Sequence, residues 1–111
     1  MNDDIIKVTL RCPIRITIEL VGGKWKLLIL LQLSVRPFRL SELKRQIPDI
    51  SEKMLIQELK TLIDSSLAKR INFGEVPPRV EYEITEMGLK VLPLISEMRN
   101  FAVAYENYQK I

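Results

Sequence analysis

The sequence contains no histidine and a single cysteine, Cys12. Those two absences remove several kinds of chemistry at once. A zinc site of the usual Cys and His ligands cannot be assembled from such a chain. Ser–His and Cys–His nucleophilic catalysis both need an imidazole base that is missing. A lone thiol excludes an intramolecular disulfide framework and fits a reducing compartment. Glycine is scarce: Gly22 and Gly23 adjoin, while Gly74 and Gly88 stand alone, so no glycine-rich phosphate loop is present. The longest apolar run, residues 27–31, falls far short of the ~20 residues that span a bilayer. The N-terminal MNDDIIKV opens acidic, without the basic segment of a secretory signal. Glu81 and Glu83 form a carboxylate pair, but on an alternating strand they share a solvated face. These features predict a cytoplasmic protein that is not an enzyme and needs no metal or cofactor.

What is present is a globular composition, 47% apolar and 28% charged over 111 residues. That length suits one domain over residues 1–111, burying roughly two-thirds of its unfolded surface. The net charge is +3, which permits an anionic partner. Its distribution is uneven. Residues 36–79 carry nine basic and six acidic side chains, whereas residues 80–111 carry three basic and five acidic. The middle of the chain, not its C-terminal third, is the part suited to face a polyanion.

Periodicity divides the chain into helices and one hairpin. Residues 13–21, PIRITIELV, fit two patterns: strict alternation of Ile14, Ile16 and Ile18, and the helical spacing of Ile14, Ile18 and Val21 behind Pro13. Residues 24–34 are apolar almost all round, which predicts a central, largely covered helix beginning near Trp25. Pro37 ends that element. Ser41 is a plausible cap for a short helix through Gln46, and Ser51 for a longer one from Glu52 to about Ser65. In the latter, Leu55, Leu59, Leu62 and Ile63 form a buried stripe, with Lys53, Gln57, Lys60 and Asp64 opposite. Two alternating segments follow, residues 67–73 and 79–84, joined by GEVPP, whose prolines stiffen a hairpin tip. Thr85 then caps a helix expected to run to about Tyr108 and to bend at Pro93. Its apolar face, which includes Ile95, Met98, Phe101, Ala102 and Tyr105, is wider than one small core requires. The surplus predicts a partner helix.

A short helix, a turn and a second helix with a polar outward face make a helix-turn-helix, and a hairpin directly after it makes a wing. The fold class expected is mainly α with a small β-hairpin (α+β). The helix-turn-helix spans about 41–65, the wing about 67–84 and the closing helix about 85–108.

Residues 12–101 also resemble the HxlR-type subgroup of MarR-like winged-helix transcription regulators. The motifs are CP at residues 12–13, GGKW at 22–25, FRLSELKRQIPDIS at 38–51, SEKMLIQELKTLI at 51–63 and PPRVEYEITEMG at 77–88. The resemblance implies that residues 13–21 are helical, against the local alternation. It also implies a prokaryotic homodimer in which the N-terminal and C-terminal helices pack across a twofold axis. Two places depart from the family pattern. Ser66 stands where a Gly usually follows the recognition helix. Arg36 stands where a Gly is common, with Leu40 in an aromatic position.

The function expected is sequence-specific binding of double-stranded DNA at a near-palindromic operator. Lys53 and Gln57, near the start of the recognition helix, suit base reading, since Gln pairs with adenine and Lys donates to guanine. Ser51, Arg39, Lys44, Arg45 and Lys60 suit phosphate contact; a merely solvated face is the alternative for Lys53, Gln57 and Lys60, and for Arg39, Lys44 and Arg45. Arg79 suits the minor groove at the wing, or else a surface ion pair to Glu75 or Glu81. In family members of this type a cysteine before this proline can sense oxidants or electrophiles. For Cys12 the alternative is an inert thiol. An inducer pocket at the dimer interface also stays open. The competing reading of the whole chain is a winged-helix module that binds protein without autonomous DNA binding.

Overall fold

The computed structural model describes residues 8–110, so most of the acidic N-terminal segment discussed above lies outside it. The element order is α1 (Pro13–Val21), α2 (Lys26–Leu33), α3 (Leu40–Gln46), α4 (Glu52–Asp64), β1 (Ala68–Asn72), β2 (Val80–Ile84), α5 (Glu86–Leu89) and α6 (Leu92–Gln109). Residues 13–21 are helical, as the family resemblance implied and alternation did not. Pro13 occupies the first turn, where its missing N–H is no loss, and the Thr17 hydroxyl donates to the Pro13 carbonyl at 2.8 Å.

The core gathers Ile29, Leu30 and Leu33 of α2, Leu43 of α3, Leu55, Leu59 and Leu62 of α4, and Phe38, Ile50 and Leu67 from the connections. Burying a Leu or Ile side chain contributes about 1.5–3 kcal/mol, so this cluster is the main source of stability. Trp25 packs against it and stands at the N-cap of α2, consistent with a structural role. Leu28 is nearly half exposed, so α2 is less completely covered than its all-round apolar sequence suggested.

Two helix boundaries correct the sequence reading. Ser41 does not cap α3; it lies inside it. The N-cap is Arg39, whose backbone N–H donates to the Glu42 carboxylate at 2.8 Å. A carboxylate at the third helical position can serve that orphan donor directly, so α3 starts before Ser41. The closing helix is also not continuous. Thr85 does cap its start, accepting from the Gly88 N–H at 3.0 Å, but α5 ends at Leu89. Lys90 and Val91 bond back to the Met87 and Gly88 carbonyls in tighter turns, and α6 begins at Leu92 with Pro93 in its first turn. Pro93 therefore starts a new helix instead of bending an old one, because its ring and missing N–H fit a first turn and not an interior one.

The hairpin pairs antiparallel with Ala68 opposite Ile84 and Asn72 opposite Val80. Every residue of β2 is half-buried, so the expected inward and outward alternation is weak. Two causes are visible. Tyr82 also exchanges backbone hydrogen bonds with Phe38, giving β2 a neighbour on each side. Its acidic side chains are covered by ion pairs, Lys69–Glu83 at 3.3 Å across the ladder and Arg79–Glu81 at 4.0 Å. Gly88 explains the end of the PPRVEYEITEMG motif. It is buried where a Cβ would collide with the Leu67 carbonyl oxygen and the Ile84 side chain, so α5 seats against the hairpin only with glycine there.

The molecule is elongated, 60 × 37 × 23 Å, with a radius of gyration of 16.9 Å. A compact chain of 100 residues has about 13 Å. Much of the excess is α6, about 27 Å long at the helical rise, in which Ile95 is the buried residue.

Candidate nucleic-acid interface

Helix α4 forms for reasons legible along its length. The Ser51 hydroxyl accepts the Met54 N–H at 3.1 Å, satisfying one of the free donors of the first turn. Glu52 adds a favourable charge at the N-terminal end. At the far end, Leu67 N–H bonds to the Leu62 carbonyl and Ser66 N–H to the Ile63 carbonyl, both at 2.9 Å. This is a Schellman closure, and it places Ser66 at φ 64°, the left-handed conformation usually taken by glycine.

With Leu55, Leu59 and Leu62 buried, Lys53, Gln57 and Lys60 fall on the exposed side of α4. Among the described residues, the Lys53 and Gln57 side chains have no hydrogen-bond or ion-pair partner, so both are free to meet a ligand. Lys60 pairs with Asp64 at 3.5 Å, both ends well exposed, an interaction worth little in water. Arg39, at the N-cap of α3, and Arg45, within it, are exposed. Lys44 reaches across the turn to the Pro48 carbonyl at 2.9 Å, so its ammonium helps fix the link between α3 and α4. Glu42 is held below the usual carboxylate pKa, first by the Arg39 backbone N–H and then by Arg36 beside it.

The wing arginine is occupied. The Arg79 guanidinium lies 3.8 Å above the Phe73 ring and 3.0 Å from the Glu75 carboxylate. The surface ion pair weighed in the sequence is thus present, and Phe73 adds a cation–π contact. Cys12 stands at the N-cap of α1 and is 6% exposed.

The residues expected at a partner interface divide. Met98, Phe101, Ala102 and Tyr105 are exposed on α6, whereas Ile95 is buried within the protomer. On α1, Ile14 and Ile18 are exposed at 65% and 61%. Ile14, Ile18, Val21, Leu27, Leu94 and Met98 line one apolar groove where α1 and α6 approach.

Two features escaped sequence reasoning. The Phe38–Tyr82 bridge joins the lead-in to α3 with the wing, and Lys26 pairs with Glu58 at 2.6 Å. Both link segments far apart in sequence, where local periodicity carries no signal.

The HxlR-like helix-turn-helix family model matches residues 20–110. The chain belongs to that family. An uncharacterized HTH-type transcriptional regulator of Bacillus subtilis (strain 168), YkvN, is 48% identical over 87 residues, 78% of this chain and 74% of the relative. The crystal structure of a regulator described as of the MarR family, from Porphyromonas gingivalis W83, superposes with a TM-score of 0.81. It shares 49% identity and covers 90% of this chain and 96% of its own. The structure of the HTH-type transcriptional regulator ytcD gives a TM-score of 0.83 at 38% identity, covering 86% and 98%. The chain thus shares the winged-helix fold of these helix-turn-helix regulators. Among the described residues, no helix is long and apolar enough to cross a membrane.

Proposed function

We propose that this HxlR-like chain is a sequence-specific, DNA-binding transcription regulator acting as a homodimer from a single domain. The observation that carries the reading is the free Lys53 and Gln57 pair on the outward face of a capped, core-anchored α4. A helix presented that way enters the major groove, with residues of its N-terminal half at the base edges. Arg39, Lys44, Arg45, Ser51 and Lys60 surround it as contacts to the phosphate backbone, which position without specifying. Ser51 contributes beside the remaining free N–H groups of the first turn. The wing lies toward the flanking minor groove, where Arg79 exchanges Glu75 for the nucleic acid.

The twofold arrangement is supported by α6, an 18-residue helix with one buried residue, and by the apolar groove it forms with α1. A second copy of the same faces covers both. Two recognition helices then meet half-sites about 34 Å apart, one helical turn of DNA.

The test is selection of the purified protein against a random duplex library at about 150 mM salt, near the physiological value. A near-palindromic motif with two half-sites is expected, and Lys53→Ala abolishes its enrichment. No enrichment above background sinks autonomous DNA binding and favours a protein partner for the same helix and hairpin.

A further inference from the structure

Lys26 and Glu58 form the shortest ion pair among the described residues, 2.6 Å, and the least exposed, with each side chain 15% accessible. The pair joins the first residue of α2 to the middle of α4, immediately after Gln57. A lysine opening a helix sits at the positive end of the macrodipole, and the first turn of α2 has no acidic residue to offset it. Helix α2 therefore gives no reason for a cation there; Glu58 does. Its carboxylate answers the Lys26 ammonium directly.

On α4, Glu58 stands on the flank between the buried leucine stripe and the outward Gln57 side. The two contacts constrain different motions. Leucine packing is non-directional and tolerates a small roll of α4 about its own axis. A short charge-assisted hydrogen bond does not, because its energy falls off with distance and angle. Rolling α4 swings the tips of Lys53 and Gln57, which must meet base edges at hydrogen-bond distance.

We propose that Lys26 and Glu58 are positioning residues for base reading: their ion pair fixes the roll of α4 and so the aim of Lys53 and Gln57. The inference rests on the DNA-binding reading above. Neither residue is assigned a contact with DNA.

A merely structural role and a positioning role separate in the double variant Lys26→Met/Glu58→Met. Replacing a largely buried ion pair with apolar side chains of similar length often leaves stability unchanged or improved, while removing the directional bond. Wild type and variant are compared by thermal unfolding and by affinity for the selected site and its single-base variants. The expected result is a folded variant whose base discrimination falls by about tenfold, the scale of one readout contact. The loss is confined to the positions that also respond to Gln57→Ala or Lys53→Ala. The salt dependence stays as in wild type, since no phosphate contact is removed. The charge swap Lys26→Glu/Glu58→Lys recovers most of the discrimination. A folded double variant with the wild-type base profile overturns the inference, leaving the DNA-binding reading intact. A wild-type protein that selects no site overturns both.

Discussion

The backbones of Phe38 and Tyr82 exchange two hydrogen bonds, Phe38 N–H to the Tyr82 carbonyl at 3.0 Å and Tyr82 N–H to the Phe38 carbonyl at 2.8 Å. Between them they pin the short approach to α3 against the outer edge of β2 as an isolated antiparallel bridge. The hairpin is thereby attached to the helix-turn-helix in two places, through this bridge and through the Ser66 turn that follows α4. A two-stranded ribbon alone is marginally stable in water, so the added neighbour and the buried Phe38 side chain help hold the wing in register.

Phe38→Ala removes the side chain and leaves the backbone bridge in place. Phe38 is 4% exposed, and its ring also carries the Arg36 guanidinium at 3.8 Å. Truncation of a buried Phe costs about 3–5 kcal/mol, and that loss is expected in denaturant unfolding of the purified variant. A loss under about 1 kcal/mol would mean the site refills and that the ring is not an anchor of the wing.

Ser66→Gly should act in the opposite direction. Ser66 holds φ at 64°, which costs an L-residue roughly 1–2 kcal/mol. Glycine removes that strain but gains freedom in the unfolded chain, which returns part of the benefit. A net stabilisation of about 0.5–1 kcal/mol is expected, read as a higher denaturant midpoint with an unchanged slope. An unchanged or lower midpoint would show that the turn is not strained in solution.

These positions also show where the sequence could be read and where it could not. Helix α4 was legible because its leucine spacing, the Ser51 cap and its polar face all agree within one local window. The left-handed turn at Ser66 was legible through a family pattern that places glycine there. Helix α1 was not legible locally, because alternation and helical spacing fit the same isoleucines; helix won only through the resemblance. The division at Leu89–Leu92 was missed because Pro93 is compatible with either a bend or a new start. The Lys26–Glu58 and Phe38–Tyr82 contacts join segments that only the assembled core brings together. Among candidate site residues, the outward side of Lys53 and Gln57 follows from helix geometry and the Glu75 pair of Arg79 from their spacing, whereas the Phe73 contact of Arg79 required three-dimensional placement.

Glu42 predicts an acid dependence. Its folded pKa lies below the usual 4.5 because the Arg39 N–H, and secondarily Arg36, favour the carboxylate. A group with a depressed folded pKa stabilises above its unfolded pKa, and that contribution fades as pH falls through the folded value. Wild type should therefore exceed Glu42→Gln in stability at neutral pH, with the gap narrowing below about pH 4.5 as both forms become neutral amide-like or acid groups. Unfolding midpoints measured from pH 7 to pH 3 test this. A gap that stays constant with pH would assign the difference to packing and not to charge.

The strongest consequence of the unpartnered α6 concerns assembly. Phe101 and Tyr105 are 70% and 54% exposed, with ring centroids 6.1 Å apart on the same face of the helix. Neither belongs to the buried core of the protomer, so charging them should leave the helix-turn-helix and wing folded. In a twofold pair the same side chains become buried, and a carboxylate there is desolvated without a partner. Phe101→Glu/Tyr105→Glu is expected to sediment as a monomer with wild-type helix content in circular dichroism. On DNA it should lose binding to the two-half-site motif far more than to a single half-site, since only simultaneous engagement is removed. A wild-type chain that sediments as a monomer, or a charged variant that stays dimeric, would move the interface elsewhere and leave the α6 face for another partner.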